Sequence, residues 1–113
     1  MNLRVIEAAA DYTHLALSGR LDIAGVGAIE TQFTGYTASR HKPAFVDLSE
    51  VTFISSLAIR LFISAAKSLE ANQARLILIN PQPNIRETLR LSSIEEFIPI
   101  VTGKDEALSA CKA

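Results

Sequence analysis

"VDLSEVTFISSLAIRLFISAAKSL", residues 46–69, decides the fold, because its apolar residues change their spacing half-way along. Upstream, "KPAFVDLS" (42–49) is a short apolar run behind a proline, which reads as a buried strand. Downstream, "LAIRLFISAAKSLEAN" (57–72) repeats its apolar residues every three or four positions. Ala58, Leu61, Phe62, Ala65 and Leu69 predict the core stripe of a helix, with Arg60, Ser64, Lys67 and Ser68 opposite. The strand is expected to end near Leu48 and to turn through "SEVTF" (49–53) into the helix, which begins near Leu57. Ser55 or Ser56 is then positioned as its N-cap, the hydroxyl accepting a free N–H of the first turn. A cap explains one serine but not Leu57 or Ile59, which flank the stripe. Leu57 in particular is expected to point away from the sheet. An apolar residue beside a small polar cap, at the carboxyl end of a strand, suggests a contact surface.

Outward from this junction the chain alternates strands and helices. "LRVIEAA" (3–9) and "YTHLALS" (12–18) alternate apolar and polar residues and predict an antiparallel hairpin, with Thr13, Leu15 and Leu17 on one face. Ser18-Gly19 is expected to break that pattern. Asp22 then stands as N-cap of a helix over "IAGVGAIETQFTGYTASR" (23–40), whose Ile23, Val26, Ile29, Phe33 and Tyr36 share one face; the "GVG" reads as a loosely packed helix start. "ARLILI" (74–79) predicts a buried strand, "NIRETLRLS" (84–92) a short helix, "FIPIV" (97–101) an edge strand because Pro99 cannot donate, and "KDEALSACKA" (104–113) a closing helix. From residue 43 onward, helix follows strand three times, which implies parallel pairing with right-handed crossovers. The expected fold is a single α/β domain over 1–113, a mixed sheet with an N-terminal hairpin and helices packed against it.

Composition narrows the function. With 49% hydrophobic residues the chain can fill a core, and eleven basic against twelve acidic side chains give no reason to expect nucleic acid. The one cysteine, Cys111, excludes an internal disulfide and fits a reducing compartment. Glu7 and Asp11 interrupt the N-terminal stretch, so it does not read as a signal peptide, and no apolar run approaches the ~20 residues of a membrane span. A cytoplasmic protein without membrane insertion is expected. His14 and His41 have no ligand-spaced companions and read as surface or boundary residues, so neither a metal nor another cofactor is expected. "TGKD" (102–105) lacks the rest of a phosphate loop, Glu95 and Glu96 diverge as neighbours, and no serine has a nucleophile elbow around it. No catalytic residue is expected, and the chain does not read as an enzyme.

The serines at the helix start also suit a phosphate. A helix N-terminus offers N–H donors and the positive end of the helix dipole, so a phosphoserine there leaves the fold intact. It would place about −2 charge on a partly apolar face.

At this point the sequence resembles a family. "VDLSEVTFISSLAIRLFISAAKSL" is similar to the central segment of STAS domains, in particular the anti-sigma factor antagonists, where a strand ending in Asp-Leu leads to Asp-Ser-Ser/Thr-Gly-Leu and a helix. "SGRLD" (18–22) resembles the family's Gly-Glu-Leu-Asp. "LILINPQPNIRETLRLSSIEEFIPI" (76–100) resembles its strand, Asn/Ser-Pro loop and following helix. The resemblance implies partner switching: the unphosphorylated antagonist binds an anti-sigma factor that is also a serine-protein kinase, the kinase phosphorylates it and so releases it, and a PP2C-type phosphatase restores it. Residue by residue, the phosphoacceptor falls on Ser56, with Ser55 as the alternative. The implied partner surface comprises Asp22, Ser55, Ser56, Leu57, Ala58 and Arg60. Ser55 stands where the family has aspartate, Leu57 where it has a second Ser/Thr, Ala58 and Ser93 where it has glycine, and Arg20 where it has glutamate. The methyl of Ala58 is expected to meet the partner. The same fold also serves as a non-switching subunit of membrane-transport or lipid-transport complexes, which is the alternative reading. A nucleotide- or small-ligand sensor would need an open pocket at the strand ends.

Overall fold

The computed structural model describes residues 1–111; the last two residues of the expected closing helix lie outside the described residues. Five strands lie side by side in chain order. β1 (Asn2–Ala8) and β2 (Thr13–Leu21) form the antiparallel hairpin, and β3 (Ala44–Ile54), β4 (Leu76–Ile79) and β5 (Ile100–Val101) follow in parallel. The crossovers are α1 (Ile23–Tyr36), α2 (Ser56–Ala71) and α3 (Pro83–Leu91), and α4 (Lys104–Cys111) closes the described chain. The architecture is thus the mixed α/β sheet expected. Among the described residues no helix is long and apolar enough to cross a membrane.

The alternation of strand residues divides the interior in two. Leu15, Leu17, Val46, Leu48 and Leu78 face α1, α2 and α3 and meet the side chains of Val26, Phe33, Phe62, Leu69 and Leu89. Phe33 and Phe62 join α1 to α2 with ring centroids 5.6 Å apart. Each such buried side chain contributes about 1.5–3 kcal/mol. On the other face Phe45, Ile77 and Ile79 pack under Ala107 of α4, with Leu108 and Tyr12 against them. Lys104 ties that helix to the hairpin, its Nζ 2.9 Å from the Glu7 carboxylate and 5.2 Å from the centre of the Tyr12 ring.

Several expectations are corrected. "SEVTF" does not turn: β3 continues through it to Ile54, and β2 likewise runs past Ser18-Gly19 to Leu21. Two bulges hide this in the sequence. Between Ala16 and Ser18, and again between Gly19 and Arg20, β3 advances one residue more than β2, so simple alternation fails while Val51 and Ile54 stay buried. β5 is shorter than "FIPIV", since its pairing with β4 begins only after Pro99. Leu61 is half-buried, and Ala66 takes a place in the α2 core stripe.

Ile23 is not in the core; it is 77% exposed. Gly25 occupies the position against the sheet, where a Cβ would lie 2.0 Å from the Arg20 carbonyl oxygen. The helix start read as loose is therefore closely packed against the end of β2. His14 is not at the surface either: it is 8% exposed, edge-on to Phe45, and its Nε2 is buried without a partner. Burial pushes its imidazole pKa below the usual value, against the pull of the Asp47 and Glu7 carboxylates; the Lys104 charge adds to the depression.

Two measurements check this account. In urea denaturation, Gly25→Ala is expected to lose about 1–3 kcal/mol, whereas Gly27→Ala and Gly35→Ala, with open space around the added methyl, gain up to about 1 kcal/mol each. For His14 the unfolded chain takes up its proton near pH 6.5 and the folded chain only below that. The unfolded state therefore binds more protons as the pH falls from 6.5 to the folded pKa, and stability declines across that interval. His14→Leu is expected to flatten this decline when urea midpoints are followed from about pH 7.5 to 5.

Candidate functional site

The candidate site lies where β2 and β3 end and α1 and α2 begin. Leu21 pairs with Ile54 at the last step of the ladder. Beyond it the Ser55 N–H donates to the Leu21 carbonyl at 2.9 Å, holding the two strand-to-helix junctions against each other. Each junction uses one extended polar residue as N-cap. Asp22 (φ −87°, ψ −171°) accepts the Gly25 N–H on Oδ1 at 2.8 Å, and Ser55 (φ −97°, ψ 167°) accepts the Ala58 N–H on Oγ at 3.3 Å.

This resolves which serine is the cap. Ser55 is the cap, with its hydroxyl on the helix backbone; Ser56 is the first residue of α2, and it is exposed. Arg60 follows one turn along the same face of the helix as Ser56 and is also exposed. No acidic residue lies in the first turn of α2. The Asp22 carboxyl is held below its ordinary pKa, first by the Gly25 N–H and then by the nearby Arg20, so it is anionic at neutral pH.

The six residues implied as partner-binding do not share one fate. Asp22, Ser55, Ser56 and Arg60 reach the surface at this end. Leu57 does not point away: it is half-buried and packs against the main core. Ala58 is fully buried, because the turn that carries it lies on the sheet, so its methyl fills the interior and offers nothing to a partner.

Two apolar residues that the sequence reading did not place here are exposed near this end of the β2 and β3 strands. Phe53 is 38% exposed, and Ile23, at the start of α1, is the more exposed of the pair. Arg20 pairs with Phe53 across the strands and sets its guanidinium 4.5 Å from the ring centre, with Nε 3.6 Å from Asp22 Oδ2. The signal for Phe53 was its position beyond the second bulge, which period-two alternation cannot show; for Ile23 it was the glycine two residues on. A groove of about 500 Å³ lies at the amino ends of β4 and β5, lined by Glu70, Arg75, Glu95 and Phe97 among others, at the opposite end of the sheet from Ser56.

Comparison with known proteins agrees with this fold. A family model of the STAS domain matches residues 2–107. BtrV of Bordetella bronchiseptica, provisionally named an anti-sigma factor antagonist, is 25% identical over 96 residues, covering 85% of this chain and 83% of its own. An anti-sigma-factor antagonist (STAS) domain protein from Planctomyces limnophilus superposes with a TM-score of 0.82 at 24% identity over 98% of each chain. The anti-sigma factor antagonist SpoIIAA, in its unphosphorylated form, superposes with a TM-score of 0.78 at 19% identity over 98% of this chain and 96% of its own.

The division of labour between the serines is testable without any partner. Ser55→Ala is expected to cost about 1 kcal/mol in chemical denaturation through loss of the cap, and Ser56→Ala to leave the midpoint nearly unchanged.

Proposed function

This chain belongs to the STAS domain family, and from that premise we propose that it is an anti-sigma factor antagonist that binds an anti-sigma factor with serine-kinase activity while unphosphorylated and is released when Ser56 carries phosphate. The observation that carries this reading is the separation of roles at the start of α2: Ser55 is held in the cap, and the neighbouring serine stands exposed just beyond the end of β3. A kinase reaches Ser56 without unfolding the helix. The phosphate sits at the positive end of the α2 dipole, where it does not oppose the fold. It does oppose a partner that covers Phe53 and Ile23, since burying an added charge of about −2 costs on the order of a few kcal/mol, or two decades of affinity. A PP2C-type phosphatase resets the cycle. The relatives' names support the antagonist role.

The experiment is incubation with ATP and the candidate kinase encoded nearest to this chain, followed by mass spectrometry of the peptide spanning residues 43–60. One phosphate on Ser56 is expected. Ser56→Asp is expected to weaken kinase binding about a hundredfold with an unchanged circular-dichroism spectrum, while Ser56→Ala still binds. An unmodified peptide in the presence of a kinase active on another substrate, together with stable binding, would instead favour a non-switching subunit of a transport complex.

A further inference from the structure

The two faces of the sheet are held unequally. α1, α2 and α3 close one face with Val26, Phe33, Phe62, Leu69 and Leu89, all buried. On the other, α4 buries one described side chain fully, Ala107, against Phe45, Ile77 and Ile79. Eight residues are too few for a helix to persist unsupported in water, so α4 keeps its form by staying docked. Its second anchor is at the surface. Glu7 Oε1 accepts from Lys104 Nζ at 2.9 Å and from the Tyr12 hydroxyl, and the ammonium lies 5.2 Å from the centre of the Tyr12 ring. Exposed pairs of this kind add little, so α4 is held weakly compared with the helices of the main core. Behind this anchor lies an imidazole without a partner. His14 pairs with Glu7 on β1 and with Phe45 on β3; it is 8% exposed, and its Nε2 is buried and unbonded. Asp47 of β3 and Glu7 of β1 favour its proton, and Lys104 of α4 opposes it. Phe45 meets the ring edge-on and stacks on Tyr12 at 5.2 Å. Burial outweighs the two carboxylates and holds the pKa of the docked ring below 6.5.

We propose that α4 is a latch that opens while the rest of the fold stays intact, and that proton uptake by His14 drives the opening and uncovers Phe45, Ile77 and Ile79. Lifting α4 carries the Lys104 charge away from the imidazole and lets water reach it; both changes favour the protonated ring. The open state takes its proton near pH 6.5, the docked state only at lower pH. The opening constant therefore rises by up to about tenfold for each pH unit below 6.5, until the docked ring is protonated too. Glu7 answers to stronger acid. Tyr12 and Lys104 hold its carboxyl pKa below the usual 4.5, so its contribution to docking is present above that value and is lost only as the pH falls past it. The response between about pH 6.5 and 5 thus belongs to His14.

The test is native-state hydrogen exchange on the ¹⁵N-labelled protein from about pH 7.5 to 5, each rate divided by the intrinsic rate of that amide at the same pH. The amides of α4 are expected to be at least about tenfold less protected than those of Leu15, Val46 and Leu78 at every pH, and to lose up to about tenfold in protection per unit below pH 6.5. Cys111 supplies a second readout. It is the sole cysteine and packs half-buried on the Phe45 side of the sheet, so its alkylation by iodoacetamide, relative to the urea-unfolded chain at the same pH, is expected to quicken in parallel. His14→Leu is expected to remove the pH dependence of both readouts. Lys104→Met is expected to raise α4 opening about two- to fivefold and to leave the protection of the strand amides unchanged. The proposal is overturned if α4 exchanges only together with the strands, if its protection is the same at pH 7.5 and 5, or if the pH dependence survives in His14→Leu. The unaltered protein gives a check that needs no variant: the His14 ring resonances must titrate below pH 6.5, and titration at or above that value overturns the proposal as well.

Discussion

Two successive carbonyls at the end of β2 seat both helices of the candidate site. The Leu21 oxygen takes the Ser55 N–H and so carries the β2–β3 pairing one residue beyond the sheet. The Arg20 oxygen lies against Gly25, leaving no room for a side chain there. The first contact fixes where α2 begins, and the second fixes where α1 begins. With both in place, the caps Asp22 and Ser55 stand side by side, and their side chains close the free N–H groups that would otherwise need water. Loss of either contact would separate the two helix starts, and the surface made of residues from both would cease to exist as a unit.

That seating also explains why one serine is structural and its neighbour is free. An N-cap must be extended while the next residue is already helical, so adjacent residues at a helix start point in different directions. Ser55 turns inward to Ala58, and Ser56 turns outward with Arg60 one turn behind it. A charge added to the outer serine would therefore lie at the surface and outside the core. Regulation through charge at this place needs no rearrangement of the sheet.

Much of this was readable from spacing. The stripe through Phe62 and Leu69 and the buried run "LILI" stand where they were expected, and the hairpin around Asp11 pairs as expected despite a register shift between Val5 and Glu7. The failures share a cause. Phe53 and Val51 lie in a strand whose register slips twice, so no fixed alternation describes them, and Ile23 lost its place in the core to a glycine whose value is the space it leaves. His14 was misjudged because a histidine in a half-polar strand says nothing about α4, which is distant in sequence and covers that side of the sheet. Caps were legible as a choice between two serines, and only backbone direction decided between them.

The two rims of the sheet carry a further meaning. β5 has two paired residues and a proline before them, and β1 has a register shift between Val5 and Glu7, with Arg4 and Glu7 as charged neighbours. Both margins are therefore poor templates for a stray strand. Edge-to-edge pairing between copies is disfavoured by this means. The same blunting keeps foreign chains from joining by backbone pairing, so selectivity among partners must be written in side chains.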